Sequence, residues 1–253
     1  MRPGTPGYGG AVSTTPSFSE AVSDAVSDAV DDAGGVARAA VAFVRPRLRG
    51  VLHEFAFPVS ILAGVWAILD ARAGSPRVAT AIYAATLSAC LGVSALYHRG
   101  HWSVRVRAWL RRLDHATIFL LIAGTFTPIA VIALTGWLRI TTLAVVWGGV
   151  VLGNLLNLFW MNGPAALEVA PYIVMGGFGV VLMPHLLGNL GPVGVGLLAL
   201  GGALYIAGAV IYAKKRPNPW PQTFGFHEIF HSLVIAAAVL QWVVIKHWVL
   251  PAG

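Results

Sequence analysis

Residues 140 to 160 read Ile-Thr-Thr-Leu-Ala-Val-Val-Trp-Gly-Gly-Val-Val-Leu-Gly-Asn-Leu-Leu-Asn-Leu-Phe-Trp, without one charged side chain. About 20 consecutive apolar residues make a helix long enough to cross the hydrocarbon core of a bilayer. The run is continuous rather than alternating, so it reads as a spanning helix and not as a barrel strand. Stretches of the same kind recur at 51–70, 78–98, 113–133, 169–187, 193–213 and 225–249, separated by short polar punctuation. The sequence therefore predicts an all-α polytopic membrane protein, a seven-transmembrane-helix bundle over residues 51–253. Seven spans and their loops use that whole stretch, so any chemistry must be built from the helices and their ends.

Composition agrees. The 253 residues are 57% hydrophobic and only 11% charged, against about a quarter charged in a soluble domain, and the mean hydropathy is +0.74. A water-soluble globule is excluded. The net charge of +7 comes wholly from the apolar part, because residues 1–50 carry equal numbers of basic and acidic side chains. It reads as membrane topology, not as affinity for nucleic acid. Arg38, Arg45, Arg47 and Arg49 precede the first span, Arg99, Arg105, Arg107, Arg111 and Arg112 separate the second and third, and Lys214, Lys215 and Arg216 separate the sixth and seventh. The alternate loops and the last span hold only Arg72, Arg77, Arg139 and Lys246. This bias places the N-terminus in the cytosol of a multi-pass plasma-membrane protein. Trp102, Trp109, Trp137, Trp160 and Trp220 fall near span ends, as interfacial aromatics do, while the loop at 161–168 carries Glu168 and no basic residue.

The first fifty residues are a different material. Gly, Pro, Ser and Thr dominate up to Ser17, and a four-residue repeat then runs from Ala21 to Asp32. This composition predicts a disordered or weakly helical arm, ended by Gly34 and Gly35, with no apolar core of a cleavable signal. The single cysteine, Cys90, excludes an intramolecular disulfide and a Cys-rich metal site.

Ionisable groups inside spanning segments are functional suspects, and Glu54, Asp114 and Glu228 all lie at the expected cytosolic ends. So do several histidines. The second span ends Ser94-Ala95-Leu96-Tyr97-His98, which puts Ser94 and His98 on one helical face. The last span opens Phe226-His227-Glu228-Ile229-Phe230-His231, with His227 and His231 at the i and i+4 spacing that lets one helix bind one metal. Three imidazoles from His98, His227 and His231 would leave one position of a tetrahedral zinc open to water, as catalytic sites do. Asp114 is the candidate to hold that water and accept its proton, and Ser94 the candidate to stabilise an oxyanion or orient the nucleophile. His53 and His115 are weaker ligand candidates. His101, His185 and His247 read as interfacial residues, and Gly124 with Pro128 reads as packing or kinking rather than chemistry.

Three motifs now stand together: Ser-Ala-Leu-Tyr-His at 94–98, Leu-Asp-His-Ala-Thr-Ile-Phe-Leu-Leu-Ile-Ala-Gly-Thr-Phe-Thr-Pro at 113–128, and Phe-His-Glu-Ile-Phe-His at 226–231. Over residues 46–250 the chain resembles the bacterial hemolysin III family, the prokaryotic branch of the progestin and adipoQ receptors within a wider group that includes alkaline ceramidases. The resemblance implies seven helices, a zinc held by His98, His227 and His231, Asp114 and Ser94 beside it, and a lipid-amide hydrolase activity. The first-helix pattern of that family, Glu-x-x-Asn-x-x-x-His, is broken, because Pro46 and Arg49 stand where the Glu and Asn would be.

Three functions compete. The first is a zinc-dependent hydrolase acting on a membrane lipid through Asp114 and Ser94. The second is an intramembrane metalloprotease using His227-Glu228-Ile229-Phe230-His231, with Glu228 as base. The third is a receptor-like or pore-forming protein in which zinc only clamps helices.

Overall fold

The computed structural model describes residues 46–159 and 165–252, the side chains of 165–168 excepted. The arm up to residue 45, Trp160, the loop residues 161–164 and the Glu168 side chain lie outside the described residues. Among the described residues the protein is helical, with one isolated bridge between Trp220 and Phe224.

Six helices follow in order: α1 (Val51–Asp70), α2 (Ser75–Arg99), α3 (Val104–Pro128), α4 (Gly136–Phe159), α5 (Ala165–Lys214) and α6 (Phe226–Val244). All six tracts are long and apolar enough to cross a membrane. Helix α3 continues through a π-helical turn at Ile129–Ala133, and α6 through another at Ile245–Val249. The first of these follows Pro128, whose ring removes a backbone donor from the helical ladder.

Two expectations from sequence are refined. Helix α3 begins at Val104, nine residues before the apolar run, and its first turns carry Arg105, Arg107, Arg111 and Arg112. Charge hid this extension from a reading based on apolar length. The stretches at 169–187 and 193–213 belong to one tract, α5, in which Gly191 breaks the helix with φ 63 and ψ 173. That backbone region is essentially confined to glycine, and Pro192 follows directly, so the interruption is written into the sequence.

Neighbouring helices pack in chain order: α1 on α2, α2 on α3, α3 on α4 and α5 on α6, with α6 returning to α1. The interior holds Tyr83, Leu87, Phe119, Leu121, Ile129, Val146, Leu182, Leu186 and Ile245. Close approach of α2 and α3 depends on Gly124, where a Cβ would stand 1.9 Å from Thr86 Oγ1. Small residues at helix crossings are the usual means of tight packing in lipid. The outside is apolar too: Leu62, Leu69, Ile140, Phe159 and Val174 are all exposed, an arrangement that water would not tolerate. Trp102, Trp109, Trp137 and Trp220 are exposed near helix ends.

The chain reversals put the start of α1, the end of α2, the start of α3, the end of α5 and the start of α6 at one end of the bundle. At the other end Lys246 pairs with Asp70 and lies over the Trp66 ring, tying α6 to α1. Trp242 Nε1 supports the same contact by donating to the Ala63 carbonyl at 3.1 Å.

Candidate metal centre

The residues at the first end converge. His98 is the last buried residue of α2, and its Nε2 stands 3.2 Å from Nε2 of His227 in the first turn of α6. His231, one turn further along α6, has its ring centroid 4.5 Å from that of His227 and 5.1 Å from that of His98. One ring nitrogen from each of the three can be chosen so that all lie within 4.8 Å of one another. His98 and His231 are buried.

The donor set fits a metal ion. Facing Nε2 atoms of two imidazoles share at most one proton, and Nδ1 of His231 is buried with no hydrogen-bond partner. The cluster therefore holds a buried ring nitrogen whose hydrogen bonding is unmet among the described residues, and each neutral imidazole has one lone pair to offer. A cation can draw on those three lone pairs, and imidazole suits zinc.

Asp114, in the third turn of α3, brings Oδ2 to 3.7 Å from His98 Nε2. Its side chain is hydrogen-bonded with Ser94, one turn before His98 on α2. All five residues singled out by the sequence thus meet at one place. His53, held a weak ligand candidate, lies outside the three-nitrogen cluster but stacks on His231 with ring centroids 4.0 Å apart. It is buried beside the ring and backbone of His231. His115 engages the Arg111 carbonyl through Nδ1 at 2.9 Å. His101, His185 and His247 are exposed, as interfacial residues would be.

Glu228 has a different task from the one the His-Glu-x-x-His pattern suggests. Its Oε1 accepts from Arg49 Nε at 2.6 Å, and its Oε2 accepts from the Gly225 backbone N–H at 2.8 Å, closing the N-terminus of α6. Both oxygens are engaged away from the cluster, and the residue is 2% exposed. The metalloprotease reading requires this carboxylate as a free base, so it loses its support. Arg49 is the residue that sequence reasoning undervalued: the position looked like a defect in a motif, and the structure makes it the counter-charge of Glu228.

His227 and His231, with His53 and His115, stand on the wall of a cavity of about 440 Å³ that extends into the bundle, within the usual range for small-molecule sites. His227, His231, Asp114 and Ser94 line one part of it, and the remainder is largely apolar, with Ile118, Phe126, Met183 and Val234 among its walls.

The family model described as Haemolysin-III related matches residues 41–242. The chain belongs to the haemolysin-III related family. It is 30% identical over 215 residues to Hemolysin-3 of Bacillus cereus, covering 83% of this chain and 95% of that protein. It is 32% identical over 133 residues to the Hemolysin-3 homolog of Bacillus subtilis (strain 168), covering 53% of this chain and 60% of the relative. The likeness extends to the adiponectin receptor protein of Drosophila melanogaster, at 31% identity over 181 residues, 60% of this chain and 38% of the receptor. Membership of the haemolysin-III related family, together with six apolar helices of spanning length, makes this a multi-pass integral membrane protein.

Proposed function

We propose that the protein is a zinc-dependent hydrolase that cleaves acyl bonds, amides in the first place, of lipids entering from the bilayer. The observation that carries this reading is a cluster of three imidazoles beside a carboxylate, of which His227, His231 and Asp114 line a largely apolar cavity. His98, His227 and His231 would hold the ion. Zinc so held lowers the pKa of bound water toward about 7 and polarises a carbonyl.

The protein's own residues do the rest. Asp114, next to His98, accepts the proton of the attacking water as the new C–O bond forms. It then returns that proton to the leaving nitrogen as the C–N bond breaks, giving a carboxylic acid and an amine. Ser94 orients the Asp114 carboxyl through its single O–H. The apolar walls hold the acyl chain and exclude water from the reacting end.

The same reading gives the chain seven crossings. A 50-residue helix would run about 75 Å, more than twice a bilayer core of roughly 30 Å, so α5 crosses twice and turns at Gly191. The excess of Arg and Lys in alternate loops favours an orientation with the N-terminus and the metal centre on the cytosolic side.

A second reading, a receptor in which zinc fixes α2 to α6, is favoured by the likeness to the Drosophila adiponectin receptor protein. One experiment separates the two. Purified protein reconstituted with N-acyl amide lipids should release fatty acid, and zinc removal or His98→Ala should abolish release. Full zinc occupancy without release from any acyl lipid supports the receptor.

A further inference from the structure

Below the histidines the cavity wall is largely apolar, and two of its polar side chains, Gln241 and Tyr205, keep unmet polar atoms. Gln241 lies ten residues beyond His231 on α6, hence about 15 Å deeper, roughly half the thickness of a bilayer core. Gln241 is 5% exposed, and its Nε2 donates to the Leu198 carbonyl at 3.2 Å. Its Oε1 is buried and has no partner among the described residues.

Tyr205 repeats the pattern from α5. Its hydroxyl is buried and unpartnered among the described residues, and its side chain lines the same cavity. A Cβ on Gly201 would stand 2.6 Å from Gln241 Nε2, and Gly201 and Tyr205 are four residues apart on one helical face. The two unmet groups therefore belong to one stretch of wall. The Tyr83 hydroxyl of α2 is also buried without a partner among the described residues. Buried polar atoms are normally hydrogen-bonded, and a hydrocarbon core offers no water to do it. Nothing in the metal chemistry uses these residues.

We infer that this level is a second polar subsite, and that the cavity takes an amphiphile whose apolar chain carries a hydroxyl some way below its head. The unmet groups specify a hydroxyl. Gln241 Oε1 can only accept and the Tyr205 O–H needs an acceptor, and one alcohol donates to the first while accepting from the second. A carbonyl would leave Gln241 unmet, and a bare methylene would leave both. The head group then lies at the histidines, and for that end only the inference rests on the proposed function.

The test compares octadecanoic acid with its mid-chain hydroxylated analogue, binding to full-length protein in nanodiscs by isothermal titration. Wild type should hold the hydroxylated acid about tenfold more tightly, and in both Tyr205→Phe and Gln241→Leu the ratio should fall to near one. Octadecanoic acid is the internal reference for each variant and reports that the cavity is intact. Equal affinity of wild type for the two acids, a preference that survives both substitutions, or binding of neither acid overturns the subsite. Neither probe has a bond to hydrolyse. A hydroxyl preference in a protein that cleaves no acyl lipid keeps the subsite and removes the hydrolase, whereas cleavage without preference does the reverse.

Discussion

Nε of Arg49 donates to Oε1 of Glu228 at 2.6 Å, although 179 positions separate them in the chain. The Glu228 side chain is 1% exposed and that of Arg49 23%. Two backbone bonds, from Arg47 N–H to the Gln222 carbonyl and from Leu48 N–H to the Thr223 carbonyl, hold the same segment against the entry to α6. The approach to α1 is thereby fastened beside His227 and His231, and the Glu228 cap sets where α6 begins.

Removing only the guanidinium leaves a buried carboxylate without its counter-charge, which is costlier than removing both charges. Because Arg49 is partly exposed, Arg49→Ala should cost about 2 kcal/mol, or roughly 4–8 °C in melting temperature. Combining Arg49→Ala with Glu228→Gln should recover part of that loss, since the neutral amide still caps Gly225. Thermal unfolding of the two single variants and the double variant in detergent checks this; additive losses would contradict it.

Asp114 and Glu228 are both acidic residues near the histidines, and the account gives them unlike roles. Asp114→Asn should lower the rate of acyl-lipid hydrolysis by roughly 10²–10⁴-fold, with the bound metal retained. Glu228→Gln should leave the rate within a few-fold of wild type. The opposite ranking in initial-rate measurements would return the base to Glu228 and revive the protease.

At Gly124 the contact with Thr86 leaves no room for a methyl group. Gly124→Ala should cost roughly 1–3 kcal/mol by forcing α2 and α3 apart. Adding Thr86→Ala should restore part of the loss by removing the atom that the new Cβ meets. A melting temperature unchanged by Gly124→Ala would show that the two helices do not need this approach.

Gly191 and Gly188 stand three residues apart in α5 but in different backbone states. Gly191→Ala should destabilise by on the order of 1–3 kcal/mol, because φ 63 with ψ 173 is strained for any other residue. Gly188 has open space where a Cβ would go, so Gly188→Ala should stabilise by up to about 1 kcal/mol. Paired melting curves decide; equal effects would mean that the break at Gly191 is absent in the membrane.

The spans were legible because long uncharged runs have one physical use. The start of α3 was not, since Arg105, Arg107, Arg111 and Arg112 look like a loop until the helix that displays them is seen. The histidine cluster was legible from the i and i+4 pair on α6 and from His98 at a matching depth. Arg49 was not, because its partner lies at the far end of the chain and no spacing rule connects them. His53 left only a trace, since one histidine in an apolar run does not reveal that its ring meets His231. Tyr205 and Gln241 left none, being single polar residues on different helices whose unmet atoms show only once the cavity between them exists.

The central claim is that His98, His227 and His231 share one ion. Elemental analysis of purified protein tests it most directly. Wild type should carry about one zinc per chain, as should Glu228→Gln, while His98→Ala, His227→Ala and His231→Ala should each lose most of it at unchanged helical content. Metal-free wild type purified in the presence of zinc, or full occupancy in the three alanine variants, would contradict the account.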